Sequence, residues 1–179
     1  MKNSIIQLAA AAAISFTFIN CSGDSKNSTT AKSLVNDITE QVSSYNAVEF
    51  NNSIMMAINN IQTDQIAMNN AMASEDYTKA GDIRATWSKN LDAAIDKISK
   101  TEPSGDGVEF KNAVLKNLES YKSIVNDQYV KLIEIRKNNG DTNEDTALLD
   151  EINNGLESVQ NNINDAADIF QTKVNAGTE

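Results

Sequence analysis

The sequence predicts an all-α chain: an antiparallel four-helix bundle of two helical hairpins, preceded by a short helix, a tether and a signal peptide. Three observations lead there. From residue 31 on, apolar residues recur every three to four positions, the period of one helix face. The chain has seven glycines and a single proline, Pro103, so few breakers that long helices are free to form and a turn-rich sandwich or barrel is disfavoured. The long apolar stripes number four, are of similar length, and are separated by short polar segments.

Residues 1–20, MKNSIIQLAAAAAISFTFIN, read as a signal peptide. Lys2 supplies the positive end, and Ile5 to Ile19 supply an apolar core of secretory length. That core is too short for a spanning helix, which needs about 20 apolar residues. It stops at Phe18-Ile19-Asn20-Cys21, and Cys21 is the one cysteine of the chain. This junction resembles the lipobox of bacterial lipoproteins, with Asn20 standing where Gly, Ala or Ser is usual. The resemblance implies cleavage before Cys21, acylation of its thiol, and attachment to a membrane through the acyl chains. Each buried CH₂ adds about 0.8 kcal/mol of membrane affinity, so two or three chains hold where one binds marginally. Ser22 differs from the Asp that retains lipoproteins on the inner membrane of enteric bacteria, so an outer-membrane location is expected, facing the periplasm or the cell surface. Residues 21–33, small and polar after the cysteine, read as a flexible tether.

A short helix is expected over residues 34–45, on Leu34, Val35, Ile38, Val42 and Tyr45. Extending that stripe would land on Asn52 and Asn59, so its phase is lost, and Asn46-x-x-Glu49 offers a variant capping box. These features predict a boundary at residue 46 and a bundle domain spanning 46–176. The first long stripe runs Phe50, Ile54, Ile58, Ile61, Met68, Met72. Ser74-Glu75-Asp76 then caps the second helix, which carries Tyr77, Ala80, Arg84, Trp87, Leu91, Ala94, Ile95 and Ile98. A loop around Pro103 leads to the third, through Phe110, Val114, Leu118, Tyr121, Val125, Tyr129, Leu132 and Ile135. Asn138-Asn139-Gly140-Asp141 closes it, and the fourth carries Leu149, Ile152, Leu156, Val159, Ile163, Ala167, Phe170 and Val174. Val48-Glu49-Phe50 and Val108-Glu109-Phe110 form a faint repeat at the start of two long stripes.

The composition narrows the chemistry. The formal charge is −10, so a phosphate backbone would be repelled and nucleic acid is not an expected partner. There is no histidine, which removes Ser-His-Asp and Cys-His catalysis, His-ligated zinc or haem, and the Glu-x-x-His di-iron site. Asp141-x-Asn143-x-Asp145 opens like a calcium loop, but Thr146 and Ile152 stand where that loop needs Gly and Glu. Trp87, Tyr77, Tyr121 and Tyr129, like Met55, Met56, Met68 and Met72, are expected to pack the core. Arg84 is expected to snorkel from its edge, and Lys111, Lys116, Lys122 and Lys131 to face the acidic fourth helix. No catalytic residue, metal ligand or cofactor site is expected. Cys21, for lipidation, is the single functional residue assigned.

Over residues 45 to about 173 the chain resembles a family of uncharacterised bacterial surface lipoproteins of Leptospira and Bacteroidota. The residues that carry this are Tyr45-Asn46, Gly105-Asp106-x-x-Glu109-Phe110, Tyr121-Lys122 with Tyr129, and Phe170-x-x-Lys173. Members often continue with a His where this chain has Val174. The resemblance implies a lipid-anchored helical bundle and brings no catalytic or binding residue with it. The expected role is therefore a non-enzymatic interaction or structural component of the envelope, partnered by the membrane and by an unidentified envelope or surface protein. The alternative is a carrier holding a small ligand in the bundle core.

Overall fold

The computed structural model describes residues 31–103 and 107–176, with side chains from residue 47 onward except 48, 55 and 60. The expected signal peptide, Cys21 and most of the expected tether lie outside these residues. Every element described is helical: α1 (Ala31–Ala73), α2 (Tyr77–Lys100), α3 (Gly107–Ser123), a π-helical turn (Ile124–Gln128), α4 (Tyr129–Lys137) and α5 (Thr142–Ala176). Because α3, the π turn and α4 run on without interruption, the chain makes four long helices in the expected antiparallel order.

The turns form where the sequence provides capping atoms. At the end of α1, Glu75 takes a left-handed backbone with φ 58°. Its N–H donates to Met72 O (3.2 Å) and that of Asp76 to Ala71 O (3.0 Å), the paired bonds of a Schellman stop. Asp76 then caps α2, its carboxylate accepting from Lys79 N at 3.0 Å. Asn139 (φ 51°) repeats the Schellman device at the end of α4, with Gly140 N donating to Ile135 O at 2.8 Å. Asp141 starts α5 by accepting from the amides of Asn143 (2.6 Å) and Glu144 (3.3 Å). The Asp141-x-Asn143-x-Asp145 segment is thus a helix cap, and Asp145 is engaged by the Arg136 guanidinium.

The core is one continuous apolar cluster fed by all four helices. Trp87, Tyr129, Phe110, Ile54, Leu91, Leu118 and Ile152 are fully buried in it. The buried polar side chain Asn117 bridges α3 and α5: its amide donates to Ala113 O (2.8 Å) and its carbonyl accepts from Asn162 (3.1 Å). A buried amide so paired avoids the penalty of an orphaned one.

Three expectations are corrected. The short helix over 34–45 is not separate, because α1 is continuous from Ala31 to Ala73 and no boundary falls at Asn46. Nothing between these residues breaks a helix, since the segment has neither Gly nor Pro, and a change of stripe phase only moves the apolar row to another face. Lys111 and Lys122 turn away from α5. Lys111 Nζ donates to the C-terminal carbonyls of α2, Ser99 O (2.6 Å) and Thr101 O (2.8 Å), while Lys122 pairs with Asp92 of α2 at 2.5 Å. Met56 is no core residue, being 69% exposed.

Candidate functional site

Two side-chain clusters stand out, one inside the bundle and one at its end. The inner cluster forms where the π turn faces α2. A π turn widens the helix by one residue, and such turns concentrate at functional sites. Here Tyr129 N donates back to Ile124 O, and the wide turn lets Ile124, Val125 and Tyr129 all be buried. Trp87 of α2 sits against both tyrosines of this helix, edge-on to Tyr121 (5.5 Å, 79°) and tilted to Tyr129 (5.2 Å, 57°). Trp87 and Tyr129 are core residues, as expected, and Tyr121 packs half-buried against that core. Trp87 Nε1 and Tyr129 Oη are buried with no hydrogen-bond partner, whereas Tyr121 Oη has Gln65 Oε1 at 3.4 Å.

Around this cluster polar groups tie the π turn to its neighbours. Arg84 Nη1 donates to Asn126 Oδ1 at 3.0 Å, so Arg84 is anchored across the helices and does not merely snorkel to water. Gln128 Nε2 donates to Glu151 of α5 at 2.6 Å. Burial holds both phenols protonated: Tyr121 is pushed well above the ordinary tyrosine value by desolvation, reinforced by Tyr129 and Asp64. Tyr129 is raised by desolvation against a smaller opposing effect of Arg136. Both phenols are therefore protonated near neutral pH, and Trp87 meets them through ring contacts.

The second cluster closes the bundle end. Phe110 and Phe170 stack at 5.2 Å and 11°, and Phe50 meets both edge-on, at 6.2 and 5.8 Å. The two Val-Glu-Phe segments noticed in the sequence thus bring their phenylalanines together. Gly107 admits the Phe50 ring, since a Cβ there would lie 2.8 Å from Phe50 Cε1. Beside the rings, α3 and α5 leave a groove of about 150 Å³, walled by Phe110, Ala113, Ala166, Ile169 and Phe170 and bordered by Glu109 and Lys173. These two pair at 2.6 Å, and the Lys173 hydrogen bond and charge hold the Glu109 carboxyl below the usual carboxylate range.

Sequence reasoning assigned no site to either cluster. Phe110 and Phe170 were expected on apolar stripes and Glu109 in the Val-Glu-Phe repeat, but the meeting of Glu109 with Lys173 across 64 residues has no local signal. Gly155, an isolated glycine inside a helical stripe, was the available sign of close approach: a Cβ there would lie 2.9 Å from Ile124 Cδ1, the first residue of the π turn. Among the described residues no group of acidic or cysteine side chains could hold a metal ion, and no helix is long and apolar enough to cross a membrane. Cys21 lies outside the described residues. No protein family, curated protein or solved structure matches this chain.

Proposed function

We propose that this chain is an outer-membrane-anchored lipoprotein, held by acyl chains on Cys21, whose helical bundle serves as a non-enzymatic interaction or structural component of a bacterial envelope. The observation that carries the proposal is the junction at Cys21: the one cysteine of the chain stands where a 15-residue apolar core gives way to a polar tether. The family resemblance to surface lipoproteins agrees with it. Support for an interaction role comes from the packed core, in which Trp87, Leu91, Leu118, Tyr129 and Leu132 leave no exposed surface. A carrier is expected to hold a largely preformed apolar pocket of several hundred Å³.

The Glu109–Lys173 groove favours the second reading, a small-ligand carrier, to a limited extent. It is apolar and has an ion pair at its border, but about 150 Å³ accommodates only a fragment-sized molecule. The deciding experiment is intact mass of the protein extracted from membranes, alongside a Cys21→Ala variant and protease shaving of whole cells. A mature chain beginning at Cys21 and carrying acyl mass, absent from the variant, is expected. An unacylated chain cut elsewhere would overturn the anchor and leave a secreted bundle.

A further inference from the structure

α1 carries two faces, and the bundle uses one. Its core-facing row is Phe50, Ile54, Ile61, Met68 and Met72, all buried. About half a turn away runs a second row, Asn52, Met56, Asn59, Thr63, Ile66, Asn70 and Ala73, and every one of these is exposed. Met56 and Ile66 are 69% and 50% exposed, large apolar side chains left in water. The spacing along this row alternates four and three without a slip. Counted backwards along the same continuous helix, it passes through Glu49 and then the positions of Tyr45, Val42, Ile38, Val35 and Ala31. The stripe whose phase is lost at Asn46 is thus in register, in sequence, with this row. A 3-4 alternation is the heptad seam by which one helix packs along another.

Charge decides what covers it. Between Phe50 and Ala73 the only charged residue is Asp64, which lies off the row and accepts from Asn90 of α2 at 2.7 Å. By contrast the exposed surfaces of α2, α3 and α5 carry Asp82, Asp92, Glu119, Glu151, Glu157 and Asp165, among others. Two copies of a chain with net charge −10 repel over most of their surface. They can approach without like charges meeting along the row from Asn52 to Ala73. A twofold pairing juxtaposes a face with itself, which suits Asn: its amide is both donor and acceptor, so Asn52, Asn59 and Asn70 can bond to their counterparts. We infer that the outward row of α1 is a self-association surface, and that two copies of this chain pair helix to helix along it.

The test is density-matched sedimentation equilibrium of the full chain in detergent, over a range of protein concentrations. Wild type is expected at the mass of two chains. The double variant M56E/I66E places like charges at the centre of the seam and should weaken pairing at least ~10-fold, giving the mass of one. Loss of pairing itself lowers the melting temperature at a given protein concentration, but both positions are exposed, so the variant should stay folded, with helical far-ultraviolet circular dichroism and cooperative thermal unfolding. Mixing it with M56K/I66K should restore two-chain particles, while Val130→Glu, an exposed change on α4, should leave pairing intact. A wild-type monomer at every concentration would overturn the inference, as would a dimer indifferent to M56E/I66E or a pair of charge variants that do not rescue each other. Monomeric wild type that floats with phosphatidylcholine vesicles through Met56 and Ile66 would give the face to lipid instead, and equally overturn it.

Discussion

Alanine replacements at three glycines should differ in sign, because the space that each new methyl meets is different. Inside a helix, Gly→Ala is worth up to about 1 kcal/mol in propensity and in reduced freedom of the unfolded chain. At Gly81 nothing lies within 4 Å of the added Cβ, so stability should rise by roughly 0.5–1 kcal/mol. At Gly155 the Cβ would sit 2.9 Å from Ile124 Cδ1, with Cγ1 next at 3.5 Å. That contact is the far end of a flexible side chain, and turning it aside costs about 0.5–1.5 kcal/mol, which nearly cancels the gain. At Gly107 the Cβ would lie 2.8, 3.2 and 3.4 Å from three atoms of the Phe50 ring. The ring is wedged edge-on against Phe110 and Phe170 and has nowhere to withdraw, so overpacking of about 1–3 kcal/mol dominates. At roughly 2–4 °C per kcal/mol, thermal melts followed by far-ultraviolet circular dichroism should rank Gly81→Ala above wild type, Gly155→Ala near it and Gly107→Ala several degrees below. Combining Gly107→Ala with Phe50→Leu should recover part of the loss, a coupling of about 0.5–3 kcal/mol. A Gly107→Ala protein that melts with wild type would refute the tight closure of the phenylalanine end.

Tyr129→Phe removes a buried hydroxyl that has no partner and should stabilise the fold by about 1 kcal/mol in urea titrations. The raised phenol value also sets a pH dependence. A group whose folded value lies above its unfolded value of about 10 gives full stability below that pH and loses it as pH rises, so wild type should destabilise in alkali beyond about pH 10 and Tyr129→Phe less steeply. Glu75 holds φ 58°, a backbone that costs a non-glycine residue about 1–2 kcal/mol. Glu75→Gly should raise the melting temperature by a degree or more, and a lower one would mean that the Glu75 side chain itself holds the turn. Arg136 grips Asp145 with two nitrogens across the α4–α5 turn, the second contact being 3.0 Å, and both side chains are mostly buried. Arg136→Met should cost about 1.5–3 kcal/mol by chemical denaturation.

Much of this architecture was legible because the punctuation is sparse. With one proline and few glycines, Ser74-Glu75-Asp76, the Pro103 loop and Asn138-Asn139-Gly140-Asp141 stood out as turns, and the Asp76 and Asp141 side chains make the caps. The break at Asn46 was misread because a stripe that changes face looks, in one dimension, like a stripe that ends. The π turn left no trace in periodicity: an extra residue within a stripe of threes and fours only exchanges one allowed spacing for another. Partner choice by the lysines was equally hidden. Lys111 serves the carbonyls at the end of α2, where a helix presents partial negative charge, and helix-end geometry of this kind is invisible to a count of acids along α5. The lipidation proposed at Cys21 rests on the sequence alone. The phenylalanine end needs the fold to bring Phe50, Phe110 and Phe170 together from three helices.

The two rows of α1 also limit how its outward face can be used. A row spaced at 3.5 residues drifts about 20° per heptad on a straight helix of 3.6 residues per turn. Over the 43 residues of α1 it would swing well over 90°, so two straight helices could share only part of it. A left-handed supercoil removes the drift, but the half of α1 from Phe50 to Met72 is already committed to the bundle core. Before Ala47 the row positions in the sequence are Val35, Ile38, Val42 and Tyr45 rather than Asn and Thr. Apolar positions of the row are therefore concentrated at its N-terminal end. The asparagines further along the row, constrained by the bundle behind them, are better suited to fixing register than to supplying affinity.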